Sequence, residues 1–176
     1  MTNKPKIQKA NKALLYRKRT LTRLMAIQIF YQFEFYEKKI SLEEIKNDVL
    51  DNYVLEQEEP VSSYRDKIDP NLLATLMAGA NLGMEEIDHE IFGLLKAGWD
   101  LEKIPDVMLY ILRFGSFELK FMKDVPLKVV IDEYVDISAS FFENKKVTFL
   151  NGTLENLAKF YRIEEFEKVK KSKRND

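Results

Sequence analysis

Cysteine is absent from this 176-residue chain, and histidine occurs only once, as His89. The lack of cysteine excludes disulfides, thiolate nucleophiles and cysteine-ligated zinc. One histidine cannot form a multi-histidine metal site, and we expect it at the surface or partly buried rather than in a catalytic triad or dyad. Glycine-rich phosphate loops are also missing. We therefore expect a protein that is not an enzyme and that binds no metal or cofactor.

Long apolar runs are also lacking, since no stretch approaches the roughly 18 residues that span a bilayer. The basic N-terminus has no uninterrupted apolar core of the kind found in signal peptides. A composition that is 45% hydrophobic and 32% charged is typical of soluble globular proteins. We therefore expect a cytoplasmic chain that makes no contact with a membrane.

Five prolines and six glycines leave few places where regular structure must break. Apolar residues recur at helical spacing, and sustained alternation typical of strands is absent, so the sequence predicts an all-α fold of about seven helices. The clearest helical patterns cover residues 20–38, 42–53, 70–96, 106–122, from 126 onwards, and 147–161. The fourth is apolar on nearly every side, which predicts a central helix enclosed by the others.

The remaining segments suggest how the chain is organised. Residues 1–15 are predicted to be a flexible basic arm, and residues 166–176 a basic tail that frays. Residues 16–165 form the predicted helical domain. The polar stretch 51–69, with six acids and Pro60, is predicted to be a loop that separates an N-terminal bundle of about 16–60 from a C-terminal bundle of about 69–165.

Positive charge is concentrated at the start of the chain. Residues 1–33 contain eight lysines and arginines and no acid, whereas the remainder holds 20 basic and 29 acidic side chains. The near-neutral total therefore conceals a front segment of +8. This segment is either a solvated tail or an arm that binds a polyanion, because each neutralised phosphate releases counterions. Arg19 and Arg23 lie four residues apart and would share one face of a helix.

Residues near position 150 form a second candidate site. Phe149 lies about 100° away from the apolar stripe of its predicted helix. If exposed beside Lys145 and Lys146, it could stack on a base while the lysines neutralise phosphates, as in proteins that bind single-stranded RNA. The alternative is a core phenylalanine covered by the basic arm. Gly152 costs a helix about 1 kcal/mol relative to alanine, and we favour a close approach of two helices as its explanation.

Several blocks of the chain resemble the NusB family of bacterial transcription antitermination factors. The blocks occur in the family's order from about residue 17 to residue 160, and the set together is specific. They are Arg17-Lys18-Arg19 with Arg23 and residues 26–31, residues 111–119, residues 124–133, and Phe149-Leu150-Asn151-Gly152 with Leu154.

The resemblance implies two small helical bundles that share an interface. It also implies a partnership with NusE, a small-subunit ribosomal protein. The pair would bind the boxA sequence of nascent ribosomal RNA and help the polymerase antitermination complex to read through terminators. The residues that correspond to the family's RNA-contacting positions are Arg17, Lys18, Arg19, Arg23, Phe141, Asn144, Lys145, Lys146, Phe149 and Asn151. Tyr31 and Met108 correspond to positions at the NusE interface, where Tyr31 would be an aromatic anchor.

The chain departs from the family pattern at several of these places. Thr20 and Leu21 stand where arginines are frequent, and Thr148 stands where lysine is frequent. Met108 replaces a common acid near the NusE contact. Lysines also replace a glycine–acid link before the closing motif, which should favour phosphate binding in general over the choice of sequence.

Two other interpretations remain open. The chain could be a helical protein–protein adaptor with little sequence-specific RNA binding. It also resembles the N-terminal RNA-binding domain of some RNA cytosine methyltransferases, although 176 residues leave no room for a cofactor-binding domain. The sequence does not decide whether apolar faces of the first and fifth helices contact NusE or a second copy of the chain in a homodimer.

Overall fold

The structure is a computed structural model that describes residues 4–52, 65–95 and 104–172. Within these ranges the chain is entirely helical, which confirms the predicted all-α fold. The helices are α1 Lys4–Phe35, α2 Leu42–Asn52, α3 Pro70–Leu94, α4 Asp106–Phe121, α5 Leu127–Ala139, α6 Asn144–Tyr161 and α7 Ile163–Ser172, with a 3₁₀ helix Arg65–Lys67 before α3. None of the helices in these ranges has the length and apolar character needed to cross a membrane.

The chain divides into two compact units, residues 1–77 and residues 78–176. The sequence predicted a division within 51–69, most of which lies outside the described residues. The division instead falls inside α3, between Met77 and Ala78. It falls later because the start of α3 is tied to α1, where the Asp69 amide donates a hydrogen bond of 2.8 Å to Thr22 Oγ1.

Helix α1 begins at Lys4, although its pattern was predicted to start near Thr20. Residues 4–15, predicted to be a flexible arm, are therefore the first turns of α1. Pro5 is tolerated there because the first turn needs no amide hydrogen bond. The lysine, alanine, glutamine and leucine residues that follow are strong helix formers, so helix can extend without an apolar stripe.

The end of α1 shows why the helix stops before residue 38, where the sequence predicted its last turn. Glu37 and Lys38 adopt positive φ angles of 51° and 60°. The Lys38 amide donates to the Phe33 carbonyl at 3.0 Å, and the Glu37 amide to the Glu34 carbonyl at 2.8 Å. This pair of bonds is a Schellman motif, which turns the chain away from the helix axis without the usual glycine.

In the first unit, α2 packs against α1 and buries Ile45, Val49 and Leu50. The predicted serine cap is present, since Ser41 Oγ accepts a hydrogen bond of 3.2 Å from the Glu44 amide. The predicted cap of α3 is present as well, because Asp69 Oδ1 accepts from the amides of residues 71 and 72, both at 3.1 Å. These caps set the positions at which both helices begin.

In the second unit, α4 packs against α5 and α6, and α6 also packs against α5 and α7. Ten residues of α4 are buried, and Leu109, Arg113 and Lys120 on the remaining side are half-buried, as expected for a central helix. One of them is Glu118, whose carboxylate accepts a hydrogen bond of 2.7 Å from the Tyr134 hydroxyl of α5. A buried carboxylate in this core is thus hydrogen-bonded, as buried polar groups must be.

Helix α7 occupies most of the segment that was predicted to be a frayed tail. Acids Glu164 and Glu165 lie in its first turn, and Lys170 and Lys171 lie in its last. This arrangement complements the helix dipole at both ends. The prediction of a tail from residue 166 is therefore wrong up to Ser172, and residues 173–176 lie outside the described residues.

Candidate nucleic-acid interface

The first group of predicted RNA-binding residues lies on α1, in the first unit. Arg17 is exposed, and Lys18 and Arg19 are half-buried. The Nε atom of Arg19 is buried and has no hydrogen-bond partner among the described residues. These three consecutive side chains carry positive charge at or near the surface, in a helix segment that contains no acid.

Arg23 differs from its three predicted companions because only 1% of its surface is exposed. It lies on the inward face of α1, in line with Ile27 and Phe30, which are also buried. The four-residue spacing to Arg19 correctly implied neighbouring positions on the helix, but spacing alone does not say which positions face the core. The surface contact predicted for this group is thus offered by Arg17, Lys18 and Arg19.

The second group lies in the second unit, where the chain passes from α5 to α6. Asn144, Lys145 and Lys146 were predicted to be a link before the last helix, but they are the first turn of α6. The amide of Lys146 donates to the Glu143 carbonyl at 2.9 Å. Glu143 has extended backbone angles and begins the helix without a side-chain cap. The three side chains are therefore held by helical backbone rather than by a loop.

Aromatic and cationic groups meet at this helix start. Phe141 is 44% exposed, and its ring centroid lies 6.3 Å from that of Phe142. The Lys146 ammonium lies 5.5 Å from the centroid of the Phe142 ring, a cation–π distance. Phe149 and Asn151 are half-buried further along α6. Stacking surfaces beside positive charge are the combination with which proteins hold single-stranded nucleic acid.

The charges at this helix start do not favour helix stability. The first turn of α6 contains Lys145 and Lys146 and no acid. Positive side chains at the positive end of a helix dipole lower helix stability, by roughly 0.3–1 kcal/mol each. Both lysines are exposed, so they also remain accessible to solvent and ligands. Two exposed lysines thus lie at this end of α6, directly after the exposed acid Glu143.

Gly152 does not have the packing role that the sequence suggested. Among the described residues, a Cβ atom added at this position would have no neighbour within 4 Å, so the predicted close approach of two helices across it is wrong. The close contact lies at Gly115 of α4 instead, where an added Cβ would lie 2.7 Å from Leu154 Cδ2. Sequence reasoning missed Gly115 because a glycine inside an apolar helix does not reveal its neighbours.

The two residues predicted at a protein interface have different surroundings. Tyr31, in the first unit, is half-buried, and its ring stacks on Phe35 with 6.4 Å between centroids. Phe35 and Tyr36 are exposed beside it, although the sequence reasoning did not single them out. Met108, in the second unit, is only 1% exposed. It lies on a buried face of α4 and presents almost no surface to a partner.

The fold defines the class first: the described residues form an all-helical protein, with cationic side chains on α1 and cationic and aromatic side chains at the start of α6. Residues 20–159 match the family model described as the NusB family. The chain belongs to the NusB family.

Individual relatives agree with this assignment. The transcription antitermination protein NusB of Caulobacter vibrioides is 35% identical over 143 residues, which cover 80% of this chain and 92% of the relative. The protein of the same name from Bradyrhizobium sp. (strain BTAi1) is 33% identical over 151 residues, 84% of this chain and 85% of that protein. The solved structure of T. maritima NusB is similar with a TM-score of 0.67 and 27% identity, and the match covers 85% of this chain and 96% of that one.

Proposed function

We propose that this protein is an RNA-binding transcription antitermination factor that pairs with NusE to bind boxA in nascent ribosomal RNA transcripts and promotes read-through of terminators. Family membership supports this role, since relatives of this chain carry the name transcription antitermination protein NusB. The observation that carries it is the start of α6, where the exposed Phe141 lies beside Phe142 and the Lys146 ammonium. The proposed role would be carried out in the bacterial cytoplasm, where transcripts are made.

The proposed contacts follow from exposure. Arg17, Lys18 and Arg19 would neutralise phosphates, which supplies affinity without choice of sequence. Phe141 and Phe149 would stack on bases, whereas Asn144, Lys145, Lys146 and Asn151 would bond phosphates and base edges. Arg23 and Met108 would support the two units from within, since both are buried. Tyr31, with Phe35 and Tyr36, would contact NusE through aromatic surface.

A gel shift with boxA RNA and a scrambled RNA of the same composition, each with and without NusE, tests the proposal. We expect the protein with NusE to prefer boxA. Equal binding to both RNAs under both conditions would refute sequence-specific recognition. Replacement of Arg17, Lys18 and Arg19 by alanine should weaken binding and flatten its dependence on salt, by about 0.7 in log–log slope for each phosphate that is no longer neutralised. Arg23→Ala should instead lower the unfolding midpoint.

The alternative is a helical adaptor that binds NusE and makes little use of RNA. The observation that favours it is the exposed aromatic cluster at the end of α1, formed by Tyr31, Phe35 and Tyr36. Exposed aromatic side chains are common anchors of protein interfaces. Tight NusE association that boxA RNA leaves unchanged would support the adaptor. Light scattering with and without NusE would at the same time show whether the aromatic cluster holds a second copy of the chain.

A further inference from the structure

We propose that the RNA path continues from the start of α6 along the outward face of that helix, with the RNA backbone over Gly152, a phosphate at Lys159 and a base against Phe160. This inference rests on the proposed function, and it adds three residues that neither the sequence pattern nor the family resemblance singled out as RNA contacts. Its occupant is single-stranded RNA, because the face offers positive charge and aromatic rings rather than an apolar groove.

The register of α6 defines this outward face. The buried residues Leu150, Thr153, Leu154, Leu157 and Ala158 mark the side that packs in the second unit. Lys145, Gly152 and Lys159 follow one another at intervals of seven residues, or two helical turns, so they lie along one line of the helix. Lys145 and Lys159 are exposed, and Gly152 is half-exposed between them. The line from the first lysine to the second is about 21 Å long.

Gly152 leaves the backbone bare at the middle of this line. Glycine is among the least favourable residues inside a helix, and no side chain lies where its Cβ would be. Packing within the unit therefore does not explain it. A bare helix backbone permits close approach of another chain, as glycine does wherever a ligand comes near the backbone. Lysines two turns away on either side could then hold the phosphates of a strand that crosses Gly152.

The two flanks of the line differ. Phe149 and Phe160 are eleven residues apart, close to three turns, and so lie on the same flank. Phe160 is 59% exposed, the more open of the two rings. The acid Glu155 is exposed on the opposite flank, where it would repel phosphates. Bases would thus turn toward the aromatic flank. The exposed charges of the helix, Lys145, Lys146 and Lys159 against Glu155, complement a polyanion.

Substitution of the glycine is the first test, made on the full chain with NusE and boxA RNA. Gly152→Gln places an uncharged helix-forming side chain on the bare backbone. Gly83→Gln is the matched control, because a Cβ at Gly83 of α3 also meets nothing within 4 Å. We expect both variants to melt at or above the wild-type temperature, and only Gly152→Gln to lose RNA affinity.

Truncation of the two flanking side chains is the second test. Lys159→Ala should lower the slope of log affinity against log salt by about 0.7, the effect of one phosphate contact to a single strand. Lys123→Ala, an exposed lysine after α4, should leave the slope unchanged. Phe160→Ala should weaken binding about tenfold, as loss of one stacked base does. The control Phe92→Ala removes a ring of α3 that is 53% exposed, and it should bind normally.

The outcomes separate the inference from the function on which it rests. A wild-type protein that binds no RNA, with NusE present, would refute the proposed function itself. If the wild type binds boxA and the variants Gly152→Gln, Lys159→Ala and Phe160→Ala bind it equally well, only the path along α6 is overturned. Lys159 is exposed, so its truncation leaves the core intact and gives a clear answer even if a substitution at Gly152 disturbs the helix.

Discussion

Arg162 shows how much one residue contributes to the second unit. It is buried between α6 and α7, and its guanidinium donates to the main-chain carbonyls of Glu118, Leu119, Met122 and Val125 at 2.6–2.9 Å. Glu118 and Leu119 lie in the last turn of α4, where the Glu118 carbonyl also accepts from the Met122 amide at 3.0 Å. Carbonyls at a helix end have few helical partners, and Arg162 adds a donor to both. The positive charge also lies at the negative end of the α4 dipole. A single side chain therefore both caps α4 and fixes the turn that follows it.

Arg162→Ala should destabilise the protein by about 3 kcal/mol, because it removes a charged donor from four carbonyls, and only those of Glu118 and Met122 keep a backbone amide. Urea denaturation measures this change. Arg162→Lys should recover only part of the loss. A lysine ammonium has one nitrogen, so it cannot donate to all four carbonyls that surround the planar guanidinium. Arg65→Ala is the control, because Arg65 is an arginine whose ion pair with Asp51 is exposed. An Arg162→Ala variant as stable as Arg65→Ala would refute the capping role.

At the scale of the helix, α3 contains two glycines one turn apart with opposite surroundings. A Cβ at Gly79 would overlap the ring of Phe117, whereas a Cβ at Gly83 would meet nothing within 4 Å. Gly79→Ala should therefore destabilise the protein by about 1–3 kcal/mol through overpacking. Gly83→Ala should stabilise it by up to about 1 kcal/mol, because alanine favours helix. If the urea midpoints of both variants moved in the same direction, the different surroundings of the two glycines would not explain their effects.

A polar cluster joins α3, α4 and α6 within the second unit. Lys120 of α4 forms ion pairs with Glu90 at 2.7 Å and Glu86 at 3.0 Å, and the Tyr161 hydroxyl of α6 donates to Glu90 at 2.6 Å. Burial, and then the hydrogen bond to Glu90, raise the pKa of Tyr161. Burial lowers the pKa of Lys120, but its hydrogen bonds to Glu90 and Glu86 outweigh this and raise it.

These shifts predict a loss of stability at alkaline pH. Both groups bind their protons more tightly in the folded state, so their stabilisation is complete below the unfolded pKa values of 10.0 and 10.5 and declines as pH rises above them. The urea midpoint should thus fall between pH 10 and pH 11. Tyr161→Phe should make this fall shallower, whereas Tyr36→Phe, at an exposed tyrosine, should leave it unchanged. An equally steep fall in Tyr161→Phe would exclude the phenol as a cause.

Periodicity predicted the interior of the helices well and their ends less well. The apolar spacing predicted α2, α3, α4 and α5, because each of these helices buries at least one face. The first turns of α1, the first turn of α6 and nearly all of α7 were not predicted. In the first turns of α1 and α6 polar residues predominate, so the hydrophobic pattern gives little signal there. In α7 the apolar residues Ile163, Phe166 and Val169 do recur at helical spacing, but charged residues outnumber them and the segment was predicted to be a tail.

The sequence proposed the candidate site by residue type, and it did not predict which of these residues are buried. Arg17 and Lys146 reach solvent or ring surfaces as expected, whereas Arg23 and Met108 are buried and Gly152 has open space. Charge and spacing identify which residues can share a helix face. Which face meets the core depends on contacts between helices far apart in the chain, and local sequence does not encode them.

For the whole molecule, the distribution of charge matters more than the total. The net charge is −1, but the first 33 residues hold eight basic side chains and no acid. Later lysines are often paired with acids. The Lys38 ammonium lies 3.1 Å from a carboxylate oxygen of Glu34, and that of Lys39 lies 2.6 Å from one of Glu37. Lys46 forms an ion pair with Glu43. An external polyanion must compete with these carboxylates, whereas Arg17, Lys18 and Arg19 lie in a segment of the sequence that contains no acid.

This difference predicts the behaviour of the protein on immobilised heparin at neutral pH. Despite its negative net charge, the chain should be retained and should elute with salt, because a local positive field suffices for polyanion binding. A variant with Arg17, Lys18 and Arg19 changed to glutamine should elute at clearly lower salt. The matched variant with Lys38, Lys39 and Lys46 changed to glutamine loses the same charge, and it should elute close to the wild type. If the two variants shifted equally, net charge rather than its position on α1 would govern binding to polyanions.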